Sequence, residues 1–299
     1  MRFLEGRKGR AALIACLIAL SACSPPAEIT VGSKNFTEQD ILGELIAYWI
    51  ERTTDIDVRR QLHLGGTYIC HRALLAGEID LYVEYTGTAL TAILERPVEA
   101  DPAVALATVR EAYADSLGIE WTASLGFENT FAILVRRATA DSLGLRTIGD
   151  VAEHAAGLTP GFGYEFVNRE DGFAGLRRWY GLAFAGPPLT MDLGLIYRAL
   201  AEGRIDITAG NSTDGQIASL DLVQLVDDKN YFPPYEAAPV VRRETLERLP
   251  ALRTALDRLG GLIDLETMRT LNHAVDVEGR PFVGVAHAWV DDRLGPVGN

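Results

Sequence analysis

Arg72-Ala-Leu-Leu-Ala-Gly-Glu-Ile-Asp80 returns as Arg198-Ala-Leu-Ala-Glu-Gly-Arg-Ile-Asp206, with six of the nine positions identical. The two copies start at 72 and 198, an offset of 126. Solenoid repeats have periods of roughly 20–50 residues, so this spacing indicates two similar lobes instead. In each copy a helical stretch ends at a glycine, Gly77 or Gly203, where a left-handed cap costs least. An Ile-Asp strand follows and runs into a polar loop: Tyr85-Thr-Gly-Thr88 in the first copy, Asn211-Ser-Thr-Asp214 in the second. Ligands of open α/β sheets sit outside the carboxyl ends of the strands. Tyr85 and Asn211, at equivalent positions of the repeat, are therefore expected to face one shared cleft.

The chain has 299 residues, 48% apolar and 23% charged, an ordinary globular composition for which two domains are the default at this length. Its start reads as an export signal: Arg2, Arg7, Lys8 and Arg10 precede the apolar run Ala11–Leu20, followed by Leu20-Ser-Ala-Cys23. The run is too short for a spanning helix, which needs about 20 residues. Leu20-Ser-Ala-Cys23 resembles the bacterial lipoprotein cleavage site, which implies a signal over residues 1–22 and lipidation of Cys23. The expected location is periplasmic or at the cell surface, with the lipid as the anchor.

Four basic residues and Glu5 precede Cys23, so removing them takes the net charge from −13 to −16. That balance argues against nucleic acid, which needs a basic face. Of the three cysteines only Cys70 lies beyond Cys23, so no internal disulfide forms, and Cys70 reads as a small buried apolar residue. The cysteines and five histidines show no metal-ligand spacing. Glu78, Asp80 and Glu84 are near in sequence, but no nucleophile pairs with a base. Gly65-Gly66 lacks the Gly-Lys-Ser/Thr ending of a phosphate loop. The sequence reads as a binder without cofactor, not an enzyme.

Along the chain, Glu28–Ser33 is a strand, and Thr37 with Asp40 opens a helix in the manner of a capping box. Ile41, Leu42, Leu45, Ile46, Trp49 and Ile50 share a helical face. A strand over 57–62, a helix capped by Thr67 and a strand over 79–85 complete a βαβ rhythm and predict a parallel sheet. Phe131–Arg136 is the first crossing into a second lobe, Gly161-Phe-Gly163 a flexible loop, and Ala237–Arg242 the return. Helical segments near 243–259, 265–276 and 282–293 close the chain. Residues 28–130 with 236–299 form lobe 1 and 131–235 form lobe 2. Two crossings make a hinge, the arrangement that closes around a ligand.

Candidate binding residues cluster at loop positions. Ser33–Gln39 joins a strand's carboxyl end to a helix N-terminus, an anion-binding junction to which Lys34 adds charge. Arg169 can grip a carboxylate with two parallel bonds or pair with Glu165, Glu170 or Asp171. Tyr85 and Tyr235 offer ring faces to a cation, worth roughly 0.5–2 kcal/mol each.

Gly32-Ser-Lys-Asn-Phe-Thr-Glu-Gln39, Leu64-Gly-Gly-Thr67, Gly77-Glu-Ile-Asp-Leu81, Glu84-Tyr-Thr-Gly-Thr-Ala-Leu90, Ser212-Thr-Asp-Gly215 and Asp227–Tyr235 resemble the glycine betaine/carnitine/choline family of ABC-transporter substrate-binding proteins. The resemblance covers about 28–295. It implies an α/β, two-lobe periplasmic-binding-protein fold of type II, each lobe a sheet flanked by helices. It further implies a quaternary ammonium or zwitterionic ligand, and delivery to permease subunits driven by a separate cytoplasmic ATPase. By motif, Tyr85 and Tyr235 belong to an aromatic box, and Lys34, Thr88 and Arg169 to the carboxylate contacts. Asn129, Phe131 and Asn211 complete the ligand-binding set. Phe131 and Asn211 stand where the family often has tyrosine. Phe131 keeps a ring face and Asn211 does not, so Phe36, Tyr68 and Tyr164 become candidates to fill the gap. Asn211 also motivates a second class, a two-lobe binder of another small zwitterion or amino acid derivative with a sensory role.

Overall fold

The computed structural model describes residues 27–295. The signal segment and Cys23 lie outside them. Strands β1 (Glu28–Lys34), β2 (Asp57–Gly65) and β3 (Leu81–Tyr85) lie parallel, linked by helices α1 (Thr37–Thr53) and α2 (Thr67–Ala76). This is the βαβ rhythm of the sequence. Helix α3 (Pro102–Leu117) leads to β4 (Ile119–Trp121). The returning strand β10 (Ala237–Arg242) inserts antiparallel between β3 and β4, giving the order β2-β1-β3-β10-β4.

Both faces of this sheet are covered. Ile41, Leu42, Leu45, Ile46, Trp49 and Ile50 of α1 are all buried on one side, as their spacing requires. The chain's last long helices, Pro250–Leu259, Leu265–Asp276 and Phe282–Leu294, pack around α1, and Trp49 Nε1 donates to the Ala255 carbonyl at 2.9 Å. On the other side Leu74, Tyr82, Tyr113 and Trp121 form a second cluster with Cys70. Burial pushes the Cys70 thiol up to about 12, in keeping with an inert packing residue.

In the second half, β5 (Phe131–Arg136) is the central strand, antiparallel to β8 (Ile207–Asn211) and β9 (Leu222–Gln224). Gly161–Gly163 is strand β6, not a loop; it pairs parallel with β7 (Leu189–Met191), and a Pro160–Ile207 bridge joins this pair to β8. The glycines, which favour a loop in isolation, are required by close packing. A Cβ at Gly161 would lie 2.4 Å from Ile205, and one at Gly163 2.7 Å from Leu193.

The repeat is visible in the backbone. Gly77 and Gly203 both take left-handed φ, 74° and 72°, and each copy feeds a strand (β3 and β8) of its own sheet. The two crossings run side by side: Asn129 N donates to Tyr235 O at 3.0 Å, Ala237 N to Phe127 O at 3.1 Å, and Glu128 bridges Glu236.

Two capping expectations fail. Phe36, not Thr37, holds the N-cap position of α1, and the Thr37 hydroxyl donates instead to Asp276 at 2.6 Å. Gly66, not Thr67, precedes α2. At Thr37 a long-range partner outcompetes the local cap; Thr67 is the first residue of α2 and gives its backbone N–H to Glu165 in the opposite half at 3.1 Å. Asp192 caps Leu193–Ala201, accepting from Gly194 N at 3.0 Å.

A single tight turn fixes the placement of Arg169 and Asp171. After the helix Tyr164–Asn168 the chain reverses at Arg169–Gly172 and enters the helix Phe173–Tyr180. A Cβ on Gly172 would sit 1.8 Å from the Phe166 carbonyl oxygen. Gly172→Ala is expected to cost about 1–3 kcal/mol, the usual price of forced overpacking, and to lower the thermal midpoint. A melt indistinguishable from that of the parent chain would contradict this packing.

Candidate functional site

A cleft of about 250 Å³ lies between the two sheets, and all eight residues singled out from the sequence line it: Lys34, Tyr85, Thr88, Asn129, Phe131, Arg169, Asn211 and Tyr235. Tyr85 stands at the carboxyl end of β3 and Asn211 at that of β8, the equivalent positions of the repeat. Phe131 begins β5, Asn129 and Tyr235 come from the crossings, and Thr88 opens a π-helical turn at Ala89–Ile93. Of the extra aromatics, Phe36 reaches the cleft, whereas Tyr68 and Tyr164 are exposed outside it.

The rings converge. Phe131 and Tyr235 have centroids 5.7 Å apart at 78°, and Phe166 meets Phe131 edge-on at 4.8 Å. Two of these rings already carry a protein cation: Lys34 Nζ lies 5.1 Å from the Tyr85 centroid, and Arg169 Cζ 5.2 Å from that of Phe131.

The two basic residues are not free. Lys34 is buried and pairs with Glu84 at 2.6 Å, and Glu84 also accepts from Tyr82 OH and Tyr85 N. Arg169, 3% exposed, takes the ion-paired alternative with Asp171 and Glu165. Nε and Nη2 hold the Asp171 carboxylate, while Nη1 reaches Thr88 Oγ1 and Glu165 Oε1, each at 3.2 Å. A guanidinium has five N–H donors. With four engaged, the bidentate grip on a ligand carboxylate expected of Arg169 is not available in this state. Burial opposes ionisation of Asp171 and Glu165, but Arg169 outweighs it at Asp171, as Lys34 and Arg169 together do at Glu165, and both carboxyls stay below the usual range.

The cleft is closed. Arg169 reaches Thr88, Thr91 Oγ1 donates to Asp171 at 2.8 Å, and Asn272 Nδ2 donates to the Thr213 carbonyl at 3.0 Å, all between the two halves. Tyr235 OH also donates to Asp171, at 2.9 Å.

Acidic residues at the cleft were missed in the sequence: Asp214 and Asp276 line it, and Glu38 lies buried behind the lining. Glu38 is 1% exposed and accepts from Tyr85 OH at 2.6 Å, from Asn129 Nδ2 at 2.8 Å and from Asn272 Nδ2 at 3.2 Å. Asp214 accepts from Asn211 N at 2.8 Å and from the Tyr197 hydroxyl, so Tyr197 brings a ring to the wall beside Asn211. Nothing local marks Tyr197, because it shares the packing stripe of its helix with Ile196 and Leu200; only its position one residue before the second repeat was a signal. Burial raises the Glu38 and Asp276 carboxyls. Asp214 is pushed up to about 7, chiefly by burial; bonds from Tyr197 and Asn211 act against the shift, and repulsion from Glu38 and Asp276 adds to it.

A closed cleft between two α/β lobes, built from ring faces and buried ionised groups, is the construction of an extracytoplasmic solute-binding protein. Residues 27–292 match the family described as the substrate binding domain of the ABC-type glycine betaine transport system, and the chain belongs to that family. It is similar to the carnitine transport binding protein OpuCC of Listeria monocytogenes, 34% identical over 273 residues covering 88% of each chain. A glycine-betaine-binding protein of Pseudomonas aeruginosa is 33% identical over 280 residues, 90% of this chain and 89% of that one. A crystal structure described as a glycine betaine/carnitine/choline ABC transporter superposes with a TM-score of 0.71 at 32% identity, covering 89% of this chain and 98% of the other. These relatives are transporter binding proteins, not enzymes, and the membership places this chain outside the cytoplasm as the substrate-binding part of an ABC importer. Among the described residues no helix is long and apolar enough to cross a membrane.

Asp214 sets a pH dependence. Unfolded, its carboxyl titrates near 3.9; folded, it titrates at about 7. Between those values the folded state holds a proton the unfolded state has released, so this group's contribution to stability falls as pH rises from about 4 to about 7. Asp214→Asn is expected to flatten that part of the curve, read by urea denaturation of ligand-free protein at pH 5 and pH 8. An unchanged difference between the two pH values would rule Asp214 out as its source.

Proposed function

We propose that the cleft takes a quaternary ammonium osmolyte of the glycine betaine, choline or carnitine kind and presents it to ABC permease subunits powered by a separate cytoplasmic ATPase. The carrying observation is that the rings of Tyr85, Phe131 and Tyr235 converge on one enclosed cleft. A methylated ammonium donates no conventional hydrogen bond. Ring quadrupoles are the groups that hold it, and exclusion of water strengthens them. The ligand's polar tail lies toward Lys34, Thr88, Asn129 and Asn211, which all line the cleft. The ligands named for the relatives, carnitine and glycine betaine, support the same chemistry.

The bonds between the lobes give the release step. Thr67–Glu165, Thr88–Arg169 and Thr91–Asp171 are few and, each having a charged partner, individually worth about 1.5–3 kcal/mol net, so opening is accessible once the permease engages the lobes. Cys23 supplies the anchor through its lipid.

Calorimetric titration with glycine betaine, choline and carnitine is expected to give binding heat for at least one. Tyr85→Ala should weaken that ligand by a few-fold to about thirtyfold, the scale of one cation–π contact. No heat with any methylated amine would remove the osmolyte assignment. Unchanged affinity in the variant would put Tyr85 outside the site. For the anchor, Cys23→Ser should move the exported protein from the membrane fraction to the soluble one; persistence at the membrane would contradict lipid attachment at this residue.

A further inference from the structure

Taking the cleft as an ammonium site, as proposed above, we infer that its preferred ligand carries a net positive charge: a quaternary ammonium alcohol of the choline type, with no carboxylate. At the end lined by Lys34 and Arg169, those two cations face Glu84, Glu165 and Asp171. Two positive charges are set against three carboxylates before any ligand enters. A betaine's carboxylate would be a fourth anion there, desolvated and without an uncommitted cation to meet it, which is the costly way to bury charge.

A second wall is more one-sided, with Asp214 and Asp276 on its surface and Glu38 buried behind the lining. Glu38, Asp214 and Asp276 lie close enough for Asp214 to feel both of the others. None of the ion pairs among the described residues includes any of the three. Their contacts are neutral donors: Tyr85 and Asn129 to Glu38, Tyr197 to Asp214, Thr37 to Asp276. Burial raises all three carboxyls, repulsion from Glu38 and Asp276 adds to the shift at Asp214, and a bound monocation supplies the counter-charge this wall lacks.

Asn129 gives an independent indication. It is 6% exposed and lines the cleft, its Nδ2 donates to Glu38, and its Oδ1 has no partner. Glu38 fixes this orientation, since the flipped amide would set an oxygen against a carboxylate oxygen. A buried orphan acceptor calls for a donor. A choline hydroxyl can donate; a betaine carboxylate cannot. The phenol protons of Tyr85, Tyr197 and Tyr235 are likewise already given to carboxylates, so the donors left to an incoming anion are chiefly the remaining Lys34 N–H groups and the Thr88 hydroxyl.

The deciding experiment titrates choline and glycine betaine separately into the full chain at pH 7.5, with carnitine as a third arm. Choline is expected to bind at least about tenfold more tightly than glycine betaine, the worth of roughly one desolvated charge contact. Glycine betaine or carnitine binding as tightly as choline overturns the net-cation inference and leaves the osmolyte assignment standing. Silence from all three overturns both. Asp276→Asn, which keeps an oxygen for Thr37, should weaken choline by about tenfold on the same scale while leaving glycine betaine within about twofold. Equal losses for the two ligands, in a variant whose melting temperature is preserved, would also overturn the inference.

Discussion

The ion pair of Arg169 with Asp171 is the constraint around which the closed molecule is arranged. Both side chains are almost fully buried, and a buried pair is tolerable only when its remaining lone pairs and protons are also satisfied. Here those partners come from elsewhere: Thr88 for the guanidinium, Thr91 and Tyr235 for the carboxylate. The pair sits on one side of the cleft and much of its solvation shell on the other. Separating the lobes exposes the pair to water, and closing them replaces that water with hydroxyls. The Gly172 turn brings Arg169 and Asp171 to the same surface, and the π-helical turn after Thr88 offers Thr88 and Thr91 together toward it.

This arrangement divides the labour in the cleft. Basic side chains, the obvious candidates for gripping an anion, are occupied in holding the two halves and their own strands together. Lys34 ties β1 to β3 through Glu84, and Arg169 latches lobe to lobe. Recognition is left to ring faces and to acids without counter-ions. In the function proposed for it, a pocket so composed takes up a soft, methylated cation and gains electrostatically from doing so.

Much of the fold was legible because its signals are local and periodic. The Gly-x-Ile-Asp repeat gave the two βαβ-like units, the α1 stripe gave the buried face, and Gly77 and Gly203 gave the helix ends. Thr37 and Lys34 each have a plausible local role, and each is captured by a partner distant in sequence, Asp276 and Glu84. Arg169 takes the alternative its own neighbours offer, pairing with Asp171 and Glu165. Gly161 and Gly163 look like loop residues because nothing in the sequence announces that Ile205 and Leu193 will press against them. Residues brought to the cleft from polar loops or strand ends, such as Tyr85, Asn211 and Tyr235, could be named. Tyr197 could not, since it shares a helical stripe with core residues, and neither could Glu38, an unremarkable first-turn acid in sequence.

The most direct test of this account is the position of the ammonium nitrogen itself. A crystal structure of the chain grown with choline is predicted to place that nitrogen between the lobes, within about 6 Å of the ring centroids of Tyr85, Phe131 and Tyr235. An occupied site anywhere else on the molecule, with only water among those three rings, would contradict it.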